Sequence, residues 1–449
     1  MKKFAWLLAT PLLASAAWSA DLLQTYREAQ DNDAVFAAAR ATAEAGRQKQ
    51  PQALAGLLPT LGVTGNTQWN ENEISRRDGQ PILPTGEVVT KPQFNSNGYT
   101  ITLSQPLFRW QNWVAYGQSK WQVAQAEANF VQARQDLILR VAQAYFDVLY
   151  AMESVKAVRA NKTAIEQQLE SAKKNFEVGT ATITDSQEAQ ARFDLAIAQE
   201  IAAESDLEIR QRALEAILGK ESPPLAPVRK DARMSPPQPA DMKEWVAAAE
   251  SGSINVQVQQ ALLEIAAREV DRQRAGHYPT VDLVANKGNS TTFGSVGIGA
   301  LETDFQNIGI QVNLPIFQGM GVVSRQREAS ANRSAAESNL EAARRNAALA
   351  ARQYYLGVVN GMAQVRALHA ALTSSQLALE SNKLGYEVGV RINIDVLNAE
   401  NQVYVTRRDL AKAVLDTVMS QFKLKAAVGT LGEDDVIAVN TLLDPAAAQ

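Results

Sequence analysis

Between Gln118 and Val178 the chain carries neither glycine nor proline. These 61 residues would make one helix about 90 Å long at roughly 1.5 Å per residue. Helices of ordinary globular proteins average about 10–14 residues. Ala181 to Leu218, Val322 to Leu356 and Val390 to Val428 are also free of breakers. Within the first run, Ile138, Val141, Tyr145, Val148, Met152 and Val155 alternate steps of three and four. Ile165, Leu169, Ala172 and Phe176 do so again. That spacing keeps one seam against a partner helix and winds the pair left-handedly. Many seam positions are alanine, which allows close approach, and the other faces carry Gln, Glu, Lys, Arg and Ser. A narrow seam between wide polar faces suits the wall of a water-filled space. It suits a solid bundle equally well.

Several chemistries are excluded early. There is no cysteine, hence no disulfide, thiolate site or lipid-anchoring thiol. His277 and His369 are the only histidines, far apart in sequence, and both read as structural. No metal site and no cofactor are expected. Gly288, Gly294, Gly297 and Gly299 lack the preceding strand and following Gly-Lys-Ser/Thr of a phosphate loop, and read as a flexible outer loop. A formal net charge of −4 gives no positive field for nucleic acid. No nucleophile or carboxylate pair sits in a compact frame, so no enzymatic activity is expected.

The first 20 residues read as a secretory signal: Lys2 and Lys3, an apolar stretch from Phe4 to Ala17, then small residues before Asp21. Cleavage after Ser19 or after Ala20 both remain open. Removing the segment takes the formal charge to −6. No later window holds about 20 uncharged apolar residues, which excludes a spanning helix but not a β-barrel, whose strands alternate.

Two segments do alternate. LGVTGNTQWNENEI from Leu61 and GYTITLSQPLF to Phe108 read as a strand pair joined by a polar loop. VDLVANKGNSTTF from Val281 and FQNIGIQVNLPIF to Phe317 read as a second. Ile101 and Leu103 alternate with Thr100, Thr102 and Ser104, while Ile308, Ile310 and Val312 alternate with Gly309, Gln311 and Asn313. Each strand would then have one apolar and one polar face. Trp69, Tyr99, Phe108, Trp110 and Trp113 cluster near the first pair, as an interfacial girdle or an ordinary sheet edge would require.

The chain also repeats itself. Leu57-Leu58-Pro59-Thr60 parallels His277-Tyr278-Pro279-Thr280, and Gln105-Pro106-Leu107-Phe108 parallels Leu314-Pro315-Ile316-Phe317. Phe176-Glu177-Val178-Gly179 parallels Tyr386-Glu387-Val388-Gly389, 210 residues on. Ile183-Thr184-Asp185 parallels Asn393-Ile394-Asp395. Two internal repeats follow. The first spans 21–218, with a β-hairpin about 61–108 and a helix pair about 115–218. A proline-rich linker covers 219–245. The second repeat spans 246–428, with a hairpin about 281–317 and a helix pair about 321–428, before a C-terminal segment at 429–449. The fold class is therefore mixed, mainly α with a small β part. Two hairpins give four strands, too few to close a membrane barrel. Unpaired edges in lipid cost several kcal/mol per backbone group, so a membrane role demands that several chains share one barrel.

Taken together, the paired L-P-T motifs, the P-[LI]-F strand ends and the segments NFEVGTATITDSQEAQARFD (175–194) and GYEVGVRINIDVLNAENQVY (385–404) resemble the TolC-like outer-membrane efflux and secretion proteins over nearly the whole mature length. The missing lipidatable cysteine matches the unlipidated branch. The resemblance implies a homotrimer whose twelve-stranded barrel crosses the outer membrane of a Gram-negative cell and continues as a coiled-coil α-barrel in the periplasm. It implies passive export of drugs or proteins, for efflux or type I secretion, with a periplasmic adaptor and an inner-membrane RND or ABC transporter as partners. A periplasmic coiled-coil structural or adaptor protein without a pore is the alternative; it leaves the alternating strands unexplained.

The resemblance also assigns residues. Val178, Gly179, Thr180, Val388, Gly389 and Val390 would form the tips that contact the adaptor, where a glycine also ends a helix. Tyr386 and Arg391 would latch the closed periplasmic end against Thr184 and Asp185, although Thr184 or Asp185 would also serve as a helix cap. Asp395 would form the pore constriction, as a ring of three carboxylates favouring cations. The position of a second acidic ring holds Asn398, so weaker cation selectivity is expected than in a two-ring relative.

Overall fold

The computed structural model describes residues 20–75, 78–81, 86, 89–180, 182–229, 234–293 and 300–444. The secretory segment, Ala20 excepted, and Gly294, Gly297 and Gly299 lie outside them.

Asp21 caps helix α1 (Leu22–Asn32), its carboxylate accepting from Gln24 N at 2.7 Å. Helices α2 (Ala34–Arg47) and α3 (Lys49–Ala55) follow, then β1 (Thr60–Glu71), the short β2 (Ile74–Ser75) and β3 (Val89–Thr90), and β4 (Gln93–Phe108). Helix α4 (Trp110–Glu177) runs 68 residues unbroken, and α5 (Ile183–Leu218) returns for 36. Next come α6 (Met242–Gly252), α7 (Ile254–Arg274) and a 3-10 turn at Ala275–His277. The chain ends with β5 (Thr280–Thr292), β6 (Leu301–Asn313), α8 (Gly321–Glu387), α9 (Asn393–Ala427) and α10 (Glu433–Asn440). No helix among the described residues is long and apolar enough to cross a membrane.

Two boundaries differ from the sequence reading, while helix α8 runs through Gly357 and Gly361 to Glu387, inside the helix pair expected at about 321–428. Side chains at these two positions would meet Ser420 and Thr417 of α9, so the glycines allow the helices to approach closely there. The linker ends at Asp241, which caps α6. The second hairpin stops at Asn313, and Leu314 to Phe317 are not strand. Pro315 has no N–H to donate. Pro106, by contrast, is held inside β4 beside a register shift before Phe108.

The chain divides into two compact units, each drawing on both halves of the sequence. The first comprises residues 1–41, 128–257 and 342–449. Its main core packs Leu22, Tyr26 and Phe36 against Leu137, Ile138, Val141 and Tyr145 of α4, with Leu214, Leu218, Phe422 and Val436. The seam read from the sequence is buried along α4 from Ile138 to Ala172, apart from the partly buried Met152, whereas Phe176 at its end is exposed. The Tyr145 hydroxyl donates to Ala226 O at 2.9 Å and Ala20 O at 3.2 Å, tying the linker and the segment before α1 to one helix. Further along, the core narrows to Ile165, Ala196 and Leu397, and to Leu169, Ala172 and Ala189.

The second unit, residues 42–127 and 258–341, holds a four-stranded antiparallel sheet in the order β1-β4-β5-β6. Helical segments repeat that order beside it. Arg47 of α2 pairs with Glu127 of α4 at 2.6 Å, and Gln118 of α4 donates to Ile265 O of α7 at 3.0 Å. Register places Leu61, Leu103, Ala285 and Ile308 on one rung, and Gln105, Leu283 and Ile310 on another of the same face. Phe108, Val281 and Val312 close that face at one end. The opposite face carries Gly62, Thr102, Asn286 and Asn307. There Thr102 Oγ1 donates to Asn286 Oδ1 at 2.8 Å, and Asn286 Nδ2 to Asn307 Oδ1 at 3.0 Å. Gly288, read from sequence as outer loop, lies inside β5. A side chain there would be driven into the Tyr99 carbonyl and the Phe305 ring, so the position is fixed by close approach.

In the first unit, burial pushes the Asp33 carboxyl up, but hydrogen bonds from Arg140 and Phe36 N, with the charge of Arg140, hold it below the ordinary carboxylate range. Its contribution to stability is complete above the ordinary value of 3.8 and is lost as pH falls through the lower folded-state value. Asp33→Asn is expected to lower the melting temperature at pH 7 and to flatten the acid limb of a melting-temperature profile. An acid limb identical to wild type would contradict this.

Candidate functional site

The two helix-to-helix turns are built alike. At the first, Thr180 N donates to Asn175 O at 2.8 Å and Gly179 N to Phe176 O at 3.0 Å, with Gly179 at φ +79°. At the second, Val390 N donates to Gly385 O at 2.9 Å and Gly389 N to Tyr386 O at 3.0 Å, with Gly389 at φ +78°. This pair of bonds satisfies carbonyls left over at a helix end and needs a left-handed residue, hence glycine. Val178, Val388 and Val390 project 72%, 66% and 76% exposed, so both turns present apolar side chains to their surroundings.

The four residues assigned to a latch are not joined to one another in the single chain. Asp185 completes a capping box with Thr182: Thr182 N donates to Asp185 Oδ2 at 2.9 Å, and Asp185 N to Thr182 Oγ1 at 3.3 Å. The Thr184 hydroxyl is bonded to that of Thr182 at 2.5 Å. Tyr386 Oη instead accepts from Asn175 Nδ2 at 3.2 Å, and Arg391 pairs with Asp395 one turn on at 3.5 Å. Asn398 Oδ1 accepts from Arg192 Nη2 at 3.4 Å. The helix cap is thus Thr182, not Thr184 or Asp185, and Asp185 closes the box from three residues further on.

Charged rungs hold the helices above the turns. Lys162 Nζ lies 2.6 Å from Glu200 Oε2, and Arg159 reaches both Glu200 and Glu204. The bond from Lys162 holds the Glu200 carboxyl below its usual range. Across the second turn, Lys383 Nζ meets the buried Glu400 at 3.2 Å. Burial, reinforced by the Glu400 charge, pushes the Tyr404 hydroxyl up. Asn175, Arg192, Lys383 and Glu400 were not singled out from the sequence, although three of them fall within the two tip motifs. Lys383 and Glu400 lie 17 residues apart. Only the hairpin brings them together, so no helical-spacing rule reveals the pair.

A profile of outer membrane efflux proteins matches residues 25–220 and 245–430. The chain belongs to this family. It is 31% identical over 431 residues to the outer membrane protein TolC of Vibrio cholerae, covering 95% of each chain. It is 28% identical to the proteases secretion protein PrtF of Dickeya chrysanthemi, covering 95% of this chain and 92% of that one. The crystal structure of the Campylobacter jejuni CmeC outer membrane channel shares the fold, with TM-score 0.78, 17% identity and coverage of 94% and 90%. As a member of this family the protein resides in the outer membrane.

The capping box sets the stability of the first turn locally. Thr182→Ala is expected to cost about 1 kcal/mol of helix stability. Hydrogen exchange at amides 183–186 should accelerate while the Tyr145 core is unaffected. Unchanged exchange at those amides would show that the cap is not needed there.

Proposed function

We propose that three copies of this chain form a passive exit duct of the outer membrane, serving drug efflux or type I secretion. One observation carries this reading: a four-stranded sheet with one apolar face, one hydrogen-bonded polar face, and two edge strands whose outer edges lack a partner among the described residues. On β4 the outward face runs from Tyr99 to Phe108, about 30 Å along the strand at roughly 3.4 Å per residue. A strand tilt near 40° reduces that to about 23 Å, close to the apolar band of roughly 25 Å in outer-membrane barrels. Trp69 lies beyond one end of this stretch and Trp110 and Trp113 beyond the other, each exposed. Twelve strands from three copies fall within the known size range of such barrels. The Thr102, Asn286 and Asn307 row would line the lumen.

On this reading the helix pairs form the periplasmic α-barrel of the duct, from two internal repeats per chain, and the glycine turns lie at its closed end. The apolar tips at Val178, Thr180, Val388 and Val390 would receive a periplasmic adaptor, which recruits an inner-membrane RND or ABC transporter. Asp395 would stand in a ring of three at the constriction, with Asn398 in place of a second acidic ring. Within a chain Tyr386 joins two helices through Asn175, while Arg391, paired only with Asp395 one turn on, is with Thr184 and Asp185 a candidate for contacts between copies. Partly exposed polar contacts of this kind contribute about 1 kcal/mol or less each, so they can be broken on recruitment.

Combining Tyr386→Phe with Arg391→Ser is expected to raise the single-channel conductance of the purified protein in planar bilayers severalfold. An unchanged conductance would reject the closing role of these two residues. Failure of the wild type to form any channel would reject the duct itself.

A further inference from the structure

Where β4 passes into α4 and α7 turns into β5, the sheet-bearing unit forms a half-open cavity of about 470 Å³. Trp110, Trp113 and Tyr278 line it together with Arg268, Asp271 and Arg274 of α7. This is within the size range of small-ligand sites, roughly 300–1,000 Å³. Its charges are available. Arg109 nearby is taken by Asp282 through two bonds of 2.7 Å, and Arg272 by Glu269 through two more. Glu269 is further engaged by Gln118 and Gln273. Arg268, Asp271 and Arg274 have no ion pair among the described residues, and Arg268 Nε is buried without a hydrogen-bond partner.

Location narrows the ligand. The Phe108, Val281 and Val312 rung ends the apolar face on the strands that lead into this cavity. Trp110 and Trp113 remain 44% and 54% exposed. Indole rings favour the level of lipid headgroups, apolar body on one side and water on the other. Both junctions belong to the two central strands, so the site is complete within one chain whatever pairs with β1 and β6. Two guanidinium groups match a phosphodiester, which each can bind through paired N–H donors. The carboxylate between them in sequence disfavours a second negative charge and suits a cation.

We propose that this cavity binds the headgroup of a phospholipid carrying both a phosphate and a primary ammonium, of the phosphatidylethanolamine class. Arg268 and Arg274 hold the phosphate, Asp271 the ammonium, and the tryptophans mark where the acyl chains enter the apolar band. The inference rests on the reading that the apolar face of the sheet meets hydrocarbon.

Native mass spectrometry of the detergent-purified protein, supplied in turn with phosphatidylethanolamine, phosphatidylglycerol and phosphatidylcholine, tests it. Wild type should retain phosphatidylethanolamine in preference to the other two. Asp271→Asn should erase the preference over phosphatidylglycerol while total retention persists. Arg268→Gln with Arg274→Gln should lower retention of every phospholipid about tenfold or more, as expected for loss of charge-assisted bonds. Equal retention of all three lipids by wild type, or identical profiles for wild type and Asp271→Asn, would overturn the proposal even if the double variant failed to fold. Displacement of the lipid by excess inorganic phosphate would also overturn it, by indicating a site for free anions. A protein that stays dispersed and stable without detergent would instead contradict the membrane reading beneath it.

Discussion

A backbone N–H or C=O placed in hydrocarbon must find its partner inside the protein. The sheet of this chain meets that condition for β4 and β5 but not for the outer edges of β1 and β6. Alternate residues of an antiparallel edge strand direct both backbone groups outward, so strands of 12 and 13 residues each leave about a dozen groups to satisfy. At several kcal/mol apiece, no side-chain contact offsets such a deficit. Completion of the edges by further strands is therefore the condition on which the apolar face, the polar row and the proposed duct depend. The pairing of β4 with β5 matters for the same reason: it joins segments that are distant in sequence into one continuous sheet.

The helical part obeys a different balance. Its long members need few large side chains, because alanine and glycine seams let backbones approach, as at Gly361 against Thr417. Bulky packing is concentrated around Tyr145, Phe36 and Phe422. Towards the turns the buried clusters shrink and exposed ion pairs take over, such as Arg159 with Glu204. Such pairs are weak singly and screened by salt. Buried packing is thus densest in the Tyr145 core and thinnest towards the glycine turns, which suits the opening proposed for that end.

Much of this architecture was legible in the sequence because it follows from period and punctuation. The run of 61 residues without a breaker lies within α4 except for its last residue, Val178, in the first turn, and the three-four spacing of Ile138, Val141, Tyr145 and Val148 coincides with burial. Alternation at Ile101 to Ser104 likewise gives the two faces of β4. Where a glycine is read as loop, the reading failed when tertiary packing set its role, as at Gly288 within β5. At the turns, the resemblance names Thr184, Asp185, Tyr386 and Arg391 together, but the partners each has within the chain were not legible. Local geometry won at Asp185, where the capping box closes three residues from Thr182, and at Arg391, which reaches Asp395 one turn along. Asn175 and Arg192 act across helix pairs, and nothing in linear spacing marks such contacts.

The number of chains that close the sheet is the most direct measure of the whole account. Native mass determination of the purified protein in detergent, with the micelle contribution removed, should give three copies of the mature chain per particle. A particle of one chain that remains folded with β1 and β6 unpaired would contradict it, because the open edges would then need no partner.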